Sequence, residues 1–253
     1  VAGINWQVRL MGLKFLDDSG SGATADAISA IEYAIDKGAH LSNNSWGGGG
    51  YSQALRDMIE AAGEANQLFI AAAGNDGTDN DTLPHYPSTY DNENIIAVAS
   101  SDHNDARSSF SCFGLTTVDL AAPGSSILST VPGGDYDTFS GTSMASPHVA
   151  GVAALLYSMA PTAPYNLIKQ ALLDSVDVLP AWDNLTVTGG RLNAFAALQR
   201  VNLDFSLEDL SPLPIVIPPG GSTTFDVVYR PSEAGDHQSW VRIISNDTNV
   251  PTV

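Results

Sequence analysis

FSGTSMASPHVAGVAALL, residues Phe139 to Leu156, decides how the rest of the chain is read. Gly141 permits a tight turn, and Ser143 then falls in the first turn of a long apolar helix predicted over Thr142 to Met159. A helix N-terminus presents N–H groups without intrahelical acceptors, together with positive potential. An attacking hydroxyl belongs there if an oxyanion has to form beside it. Pro147 is tolerated early in such a helix, because the first N–H groups lack acceptors. Gly151 lets the helix pack closely on a neighbour. Gly-Thr-Ser alone opens many helices that carry no chemistry, so the case depends on what surrounds it.

Working outward, the chain alternates strands and helices. Val8 to Leu16 reads as a buried strand, with a turn at Asp17 to Gly22. Ala23 to Lys37 places Ala27, Ile28, Ile31, Ala34 and Ile35 on one helical face and is stopped by Gly38. A strand near His40 to Ser45 runs into Trp46 and four glycines, a helix follows over Gln53 to Ala65, and an apolar strand, Leu68 to Ala73, ends in Gly74-Asn75-Asp76-Gly77. Asn94 to Ser100 and Thr117 to Ala121 read as further strands; Leu167 to Ser175 and Leu192 to Val201 read as helices. This alternation predicts a mostly parallel sheet with crossover helices. Such sheets carry their sites at the carboxyl ends of the strands, which is where both glycine-rich segments fall.

The eighteen-residue run resembles, nearly residue for residue, the nucleophile segment of the subtilisin-like serine proteases. LFIAAAGNDG resembles the family's oxyanion-hole segment, which maps the asparagine onto Asn75. NNSWGGG is similar to the strand flanking a bound peptide, mapping Ser45, Trp46 and Gly47, and SGSG is similar to the opposite flank, mapping Gly20, Ser21 and Gly22. YPSTYDNENIIAVAS, SSFSCFG and VDLAAPG are similar to later segments in the family's order, so the likeness covers about residues 1 to 200. It implies a three-layer α/β fold with a mostly parallel central sheet, and a serine endopeptidase acting on polypeptides.

The chemistry suits each placement. Peptide hydrolysis passes through a tetrahedral oxyanion, which needs donors fixed beforehand; the Asn75 amide and the Ser143 backbone N–H are the candidates. Asn75 alone would read as a turn residue, since asparagine tolerates left-handed backbone. The two flanks would hold an extended substrate through main-chain hydrogen bonds. Ala72, Ala73 and Gly74 would line a side-chain pocket beside Trp46 that accepts a medium or large apolar group. Trp46 is equally readable as ordinary core packing.

A serine nucleophile needs a base, and the base an orienting acid. The family's order is Asp, His, Ser, with motifs like Asp-Thr-Gly and His-Gly-Thr-His that do not occur in these 253 residues. Both residues are expected upstream of Val1. His148 matches a packed structural histidine of the family. His40, His85, His103 and His237 read as structural or solvated. The alternative to an enzyme is a protease-like module that holds peptides without cutting them. An esterase of the α/β-hydrolase class fits poorly, because Ala145 stands where its Gly-x-Ser-x-Gly motif needs glycine.

Twenty-eight acidic against ten basic residues give a formal charge of −18, which argues against nucleic acid and anionic membrane partners. No apolar run approaches membrane-spanning length. The balance suits a soluble extracellular protein; a secreted, bacterial one is expected. Cys112 is the one cysteine and reads as a small buried hydrophobe. Asp76, Asp79 and Asp81 cluster in one loop, and Asp102 and Asp105 in another; turn formation explains both. No cofactor is expected for the chemistry. The resemblance does imply a structural Ca²⁺ or monovalent cation, with Asp119 and backbone oxygens around Ser88 and Tyr90 as its ligands.

After about Asn202 the pattern turns to Pro- and Gly-rich stretches and β-formers, at Phe225 to Tyr229 and Ser239 to Ser245. Residues 1–202 are therefore expected to belong to a peptidase domain. Residues 203–253 resemble part of an immunoglobulin-like β-sandwich of bacterial exported proteins, with further C-terminal modules expected to follow.

Overall fold

The structure, a computed structural model, describes residues 3–201, 205–208, 224 and 226–229. The chain divides into two compact units, 1–201 and 202–253. The first unit is built on a six-stranded sheet. Its strands are β1 (Leu41–Asn44), β2 (Leu68–Ala72), β3 (Ile95–Ser101), β4 (Leu120–Pro123), β7 (Asp177–Val178) and β8 (Gly190–Arg191), in the spatial order β1-β2-β3-β4-β8-β7. The first five of that order run parallel, and β7 closes the edge antiparallel. A hairpin, β5 (Ile127–Thr130) and β6 (Tyr136–Phe139), leads directly into α3 (Thr142–Met159).

Strand alternation sorts the side chains of β2 onto two cores. Leu68 and Ile70 face α3, where they meet Val149, Val152, Ala153 and Leu156; α4 (Tyr165–Leu173) adds Ile168 and Leu172, and α5 (Ala194–Arg200) adds Ala197. Phe69 and Ala71 face the other way, onto Ile31 of α1 (Thr24–Asp36) and Leu55, Ile59 and Ala62 of α2 (Gln53–Glu64). All five residues of β2 are buried. Coverage on both faces is what a parallel sheet requires, and the continuous apolar run LFIAA follows from it. The mixed α/β fold with a mostly parallel sheet is thus the observed architecture.

The helix predicted over Thr142 to Met159 is α3 itself, and the other helices and strands begin and end within a few residues of expectation. Val8 to Leu16 is different. It forms no strand, and Leu10 is 91% exposed. A strand exists only through a ladder partner, and no described strand pairs with this segment. The turn after it does form: Asp17 Oδ1 accepts from Ser19 N–H and Ser21 N–H at 2.8 and 3.0 Å. The β5–β6 hairpin is not anticipated above, although Pro132-Gly133-Gly134 marks it; both glycines have positive φ.

In the second unit, β9 (Phe205–Glu208) pairs antiparallel with β10 (Asp226–Tyr229). The remainder of the expected sandwich, including Ser239 to Ser245, lies outside the described residues.

Candidate active site

The site forms where the N-terminus of α3 meets the carboxyl ends of β1 and β2. Gly141 is the N-cap of α3 and has no side chain with which to cap it. Asn75 does this from β2's end: its Oδ1 accepts from Thr142 N–H at 2.8 Å and from Thr142 Oγ1–H at 3.0 Å. Thr142 Oγ1 in turn accepts from Gly74 N–H at 3.2 Å. Two donors on one oxygen fix which end of the amide is which, and turn Asn75 Nδ2 away from the helix. A Cβ built on Gly141 would lie 3.6 Å from that Nδ2 and 3.6 Å from Ser143 N. The two donors therefore border one space, with Met144 Sδ also 3.6 Å from that position. Gly141 has φ 162°, which is extended backbone, so no tight turn demands a glycine there. What the glycine supplies is the empty space.

Ser143 is half-buried, and its hydroxyl donates to the Ser45 carbonyl at 3.3 Å. Ser45 Oγ donates back to the Ser143 carbonyl at 2.9 Å. The second bond has a covalent cause. Pro147 lies one helical turn after Ser143 and has no N–H for that carbonyl. Pro147 thus sits too deep in α3 to be free of cost, and Ser45 offsets the loss. Ser146 Oγ lies 2.9 Å from Ser45 Oγ and donates to Asn43 Oδ1 at 3.0 Å, which locks the end of β1 to the helix.

Trp46 packs edge-on against Phe15, centroids 5.0 Å apart, and onto the α1–α2 core, so the packing reading holds for its ring. Ala72 and Ala73 are buried at the end of β2. His85 fills the space beneath both glycine segments: a Cβ on Gly47 would overlap its ring, and one on Gly74 would lie 2.8 Å from its Cδ2. Burial pushes the His85 imidazole below its ordinary pKa, and Asp76 acts against this. On the opposite flank, Ser21 uses its N–H and its carbonyl on Asp17, at 3.0 and 2.8 Å, while Gly20 and Gly22 are exposed beside it. His148 Nδ1 is 2.8 Å from the Met144 carbonyl, and His40 Nε2 is 3.2 Å from that of Pro161. Among the described residues no histidine nitrogen hydrogen-bonds Ser143 Oγ. Thr142 and His85 were missed as site residues by reading motifs alone. The Gly-Thr-Ser triplet held a signal for Thr142; nothing local singles out His85.

Asp119 is engaged by protein groups. Its Oδ2 accepts from Ala97 N–H at 2.7 Å, and Lys169 Nζ donates to the carbonyls of Ile95 and Glu93 at 2.5 and 3.0 Å beside it. Burial raises the Asp119 pKa, and Lys169 acts against this. The carboxylates of both acidic loops are engaged by protein groups: Asp81 accepts from Thr116 and Thr117 of a distant loop, and Asp102 from the N–H groups of Asn104 and Ala106 in its own turn. No group of three His, Cys, Asp or Glu is placed to hold a metal ion among the described residues.

Ser143 in the first turn of α3, the two donors Asn75 Nδ2 and Ser143 N–H, and the glycine-rich ends of β1 and β2 thus lie together at the carboxyl edge of the sheet. The chain belongs to the Subtilase family of serine endopeptidases, which matches residues 1–200. Thermitase of Thermoactinomyces vulgaris is 41% identical over 199 residues, covering 79% of this chain and 68% of that protein. Subtilisin DY of Bacillus licheniformis is 38% identical over 200 residues, covering 79% and 71%. The solved structure of the prenylagaramide maturation protease PagA matches with a TM-score of 0.65 at 32% identity, over 74% of this chain and 71% of that one. No helix among the described residues is long and apolar enough to cross a membrane.

Proposed function

We propose that this chain carries the nucleophile and oxyanion hole of a serine endopeptidase working through an acyl-enzyme. Ser143 Oγ attacks the peptide carbonyl carbon, and the carbonyl oxygen becomes an oxyanion between Asn75 Nδ2 and Ser143 N–H. The C–N bond then breaks, the amine leaves with a proton, and the ester on Ser143 is hydrolysed by water. The serine proton passes to a histidine that an aspartate orients. We assign these two residues to the part of the relatives' length that this chain does not match. The chemistry uses protein groups alone.

One observation carries the reading: the two donors border a common space, and Gly141 leaves it empty. Substrate would lie extended between the segments at Gly20, Ser21 and Gly22 and at Ser45, Trp46 and Gly47, with Ala72 and Gly74 walling the side-chain pocket. His85 lies beneath Gly47 and Gly74, so the pocket floor is polar. We place the protein outside the cell, where the −18 charge suits a secreted enzyme, and assign residues 203–253 to a spacer or adhesion module.

The test is Asn75→Ala in the polypeptide that includes the histidine and aspartate. Turnover of an unstructured peptide is expected to fall ~10²–10³-fold with KM little changed. Unchanged turnover would contradict the assignment. Peptide binding without cleavage by the unsubstituted protein would make it a binding module.

A further inference from the structure

The parallel strands β3 and β4 leave a mouth where their ladder begins. The carbonyls of Glu93 and Ile95 converge there on one point, and Asp119, just before β4, turns its carboxylate toward the same region. Two carbonyl oxygens with a carboxylate charge close by, beyond ion-pair distance, make a setting that favours a cation such as Ca²⁺ or Na⁺. The point is occupied by the ammonium of Lys169, reaching in from α4 with 2.5 and 3.0 Å hydrogen bonds to the two carbonyls.

We propose that Lys169 is a built-in cation, whose ammonium takes the position of a metal ion and makes this part of the fold independent of dissolved ions. An ammonium brings one positive charge and three donors; two of them satisfy the carbonyls, and the charge acts on the Asp119 carboxylate from beyond ion-pair distance. Its residual positive field also opposes entry of a second cation. Because Lys169 is tethered to α4, the charge cannot be diluted or chelated away, whereas stabilisation by a dissolved ion follows its concentration. Asp119 still anchors β3 through Ala97 N–H, and its own N–H donates to the Ala97 carbonyl at 2.9 Å. The inference concerns stability and is independent of the catalytic reading.

The experiment is thermal unfolding of the 253-residue chain in EDTA and across CaCl₂ and NaCl series, for the unsubstituted protein, Lys169→Met and Asp119→Asn. Lys169→Met is expected to gain a saturable rise in unfolding midpoint with Ca²⁺ or Na⁺, at least about twice the response of the unsubstituted protein. Asp119→Asn is expected to respond to the ions as the unsubstituted protein does; this holds whether or not Lys169→Met folds. A calcium response of the unsubstituted protein that disappears in Asp119→Asn would overturn the proposal. So would a folded Lys169→Met that responds no more than its parent.

Discussion

Ser45 and Ser143 each donate a side-chain hydroxyl to the other's backbone carbonyl, at 2.9 Å from Ser45 and 3.3 Å from Ser143. The exchange ties the end of β1 to the first turn of α3 and sets the hydroxyl proposed to attack substrate. Half of it exists because Pro147 leaves the Ser143 carbonyl without its helical donor. Ser45→Ala is expected to cost about 1–2 kcal/mol in urea unfolding of the 253-residue chain, the cost of stranding a partly buried acceptor. Pro147→Ala restores a helical N–H, so Ser45→Ala should cost clearly less in that background. An equal cost in both backgrounds would break the link between Pro147 and Ser45.

Thr142 is fully buried and connects Gly74 N–H to Asn75 Oδ1. Thr142→Val keeps the shape and removes both bonds, leaving the Gly74 N–H stranded. A loss of about 1–3 kcal/mol is expected in the same unfolding assay. In the catalytically complete polypeptide, kcat should fall at least ~10-fold with KM little moved, because the Asn75 amide keeps only the Thr142 N–H of its two donors. A stability loss without a kcat effect would reduce Thr142 to a packing residue.

Gly141 separates folding from chemistry. Its backbone suits any residue, and its nearest neighbours would lie 3.6 Å from an added Cβ. Gly141→Ala is expected to stay within about 0.5 kcal/mol of the parent in stability. The methyl group would stand in the space of the oxyanion, however, and turnover should drop ~10²-fold. Stability lost with turnover retained would place the oxyanion elsewhere.

His85 gives the fold a pH dependence whose sign is fixed by its environment. Burial favours the neutral ring, so the folded pKa lies below the ordinary value of 6.5. In that window the unfolded chain binds the proton more readily, and stability rises with pH. The contribution is complete above the ordinary value and is lost as pH falls through it toward the folded value. His85→Gln should lose less stability than the parent between about pH 7.5 and about pH 5. An identical loss in both proteins would show that the ring titrates as it does in the unfolded chain.

The parallel core was legible because LFIAA must be apolar on both faces and because glycine-rich segments close two strands. The places of Ser143 in the first turn of α3 and of Asn75 after β2 were legible because their motifs are local. Val8 to Leu16 misled because apolar composition reports the tendency to form a strand and not the presence of a partner; Leu10 lies at 91% exposure. The surroundings of Asp119 were not legible, because they include Lys169, fifty residues later in the chain. The place of His85 beneath Gly47 and Gly74 is likewise a product of long-range packing. No local pattern encodes either pairing.

The most direct test of the central claim is labelling of the catalytically complete polypeptide with a fluorophosphonate, followed by mass spectrometry of the peptide carrying Phe139 to Leu156. The account predicts one covalent adduct on Ser143, absent from Ser143→Ala and formed much more slowly in Asn75→Ala. No adduct on Ser143, or labelling that persists in Ser143→Ala, would contradict it.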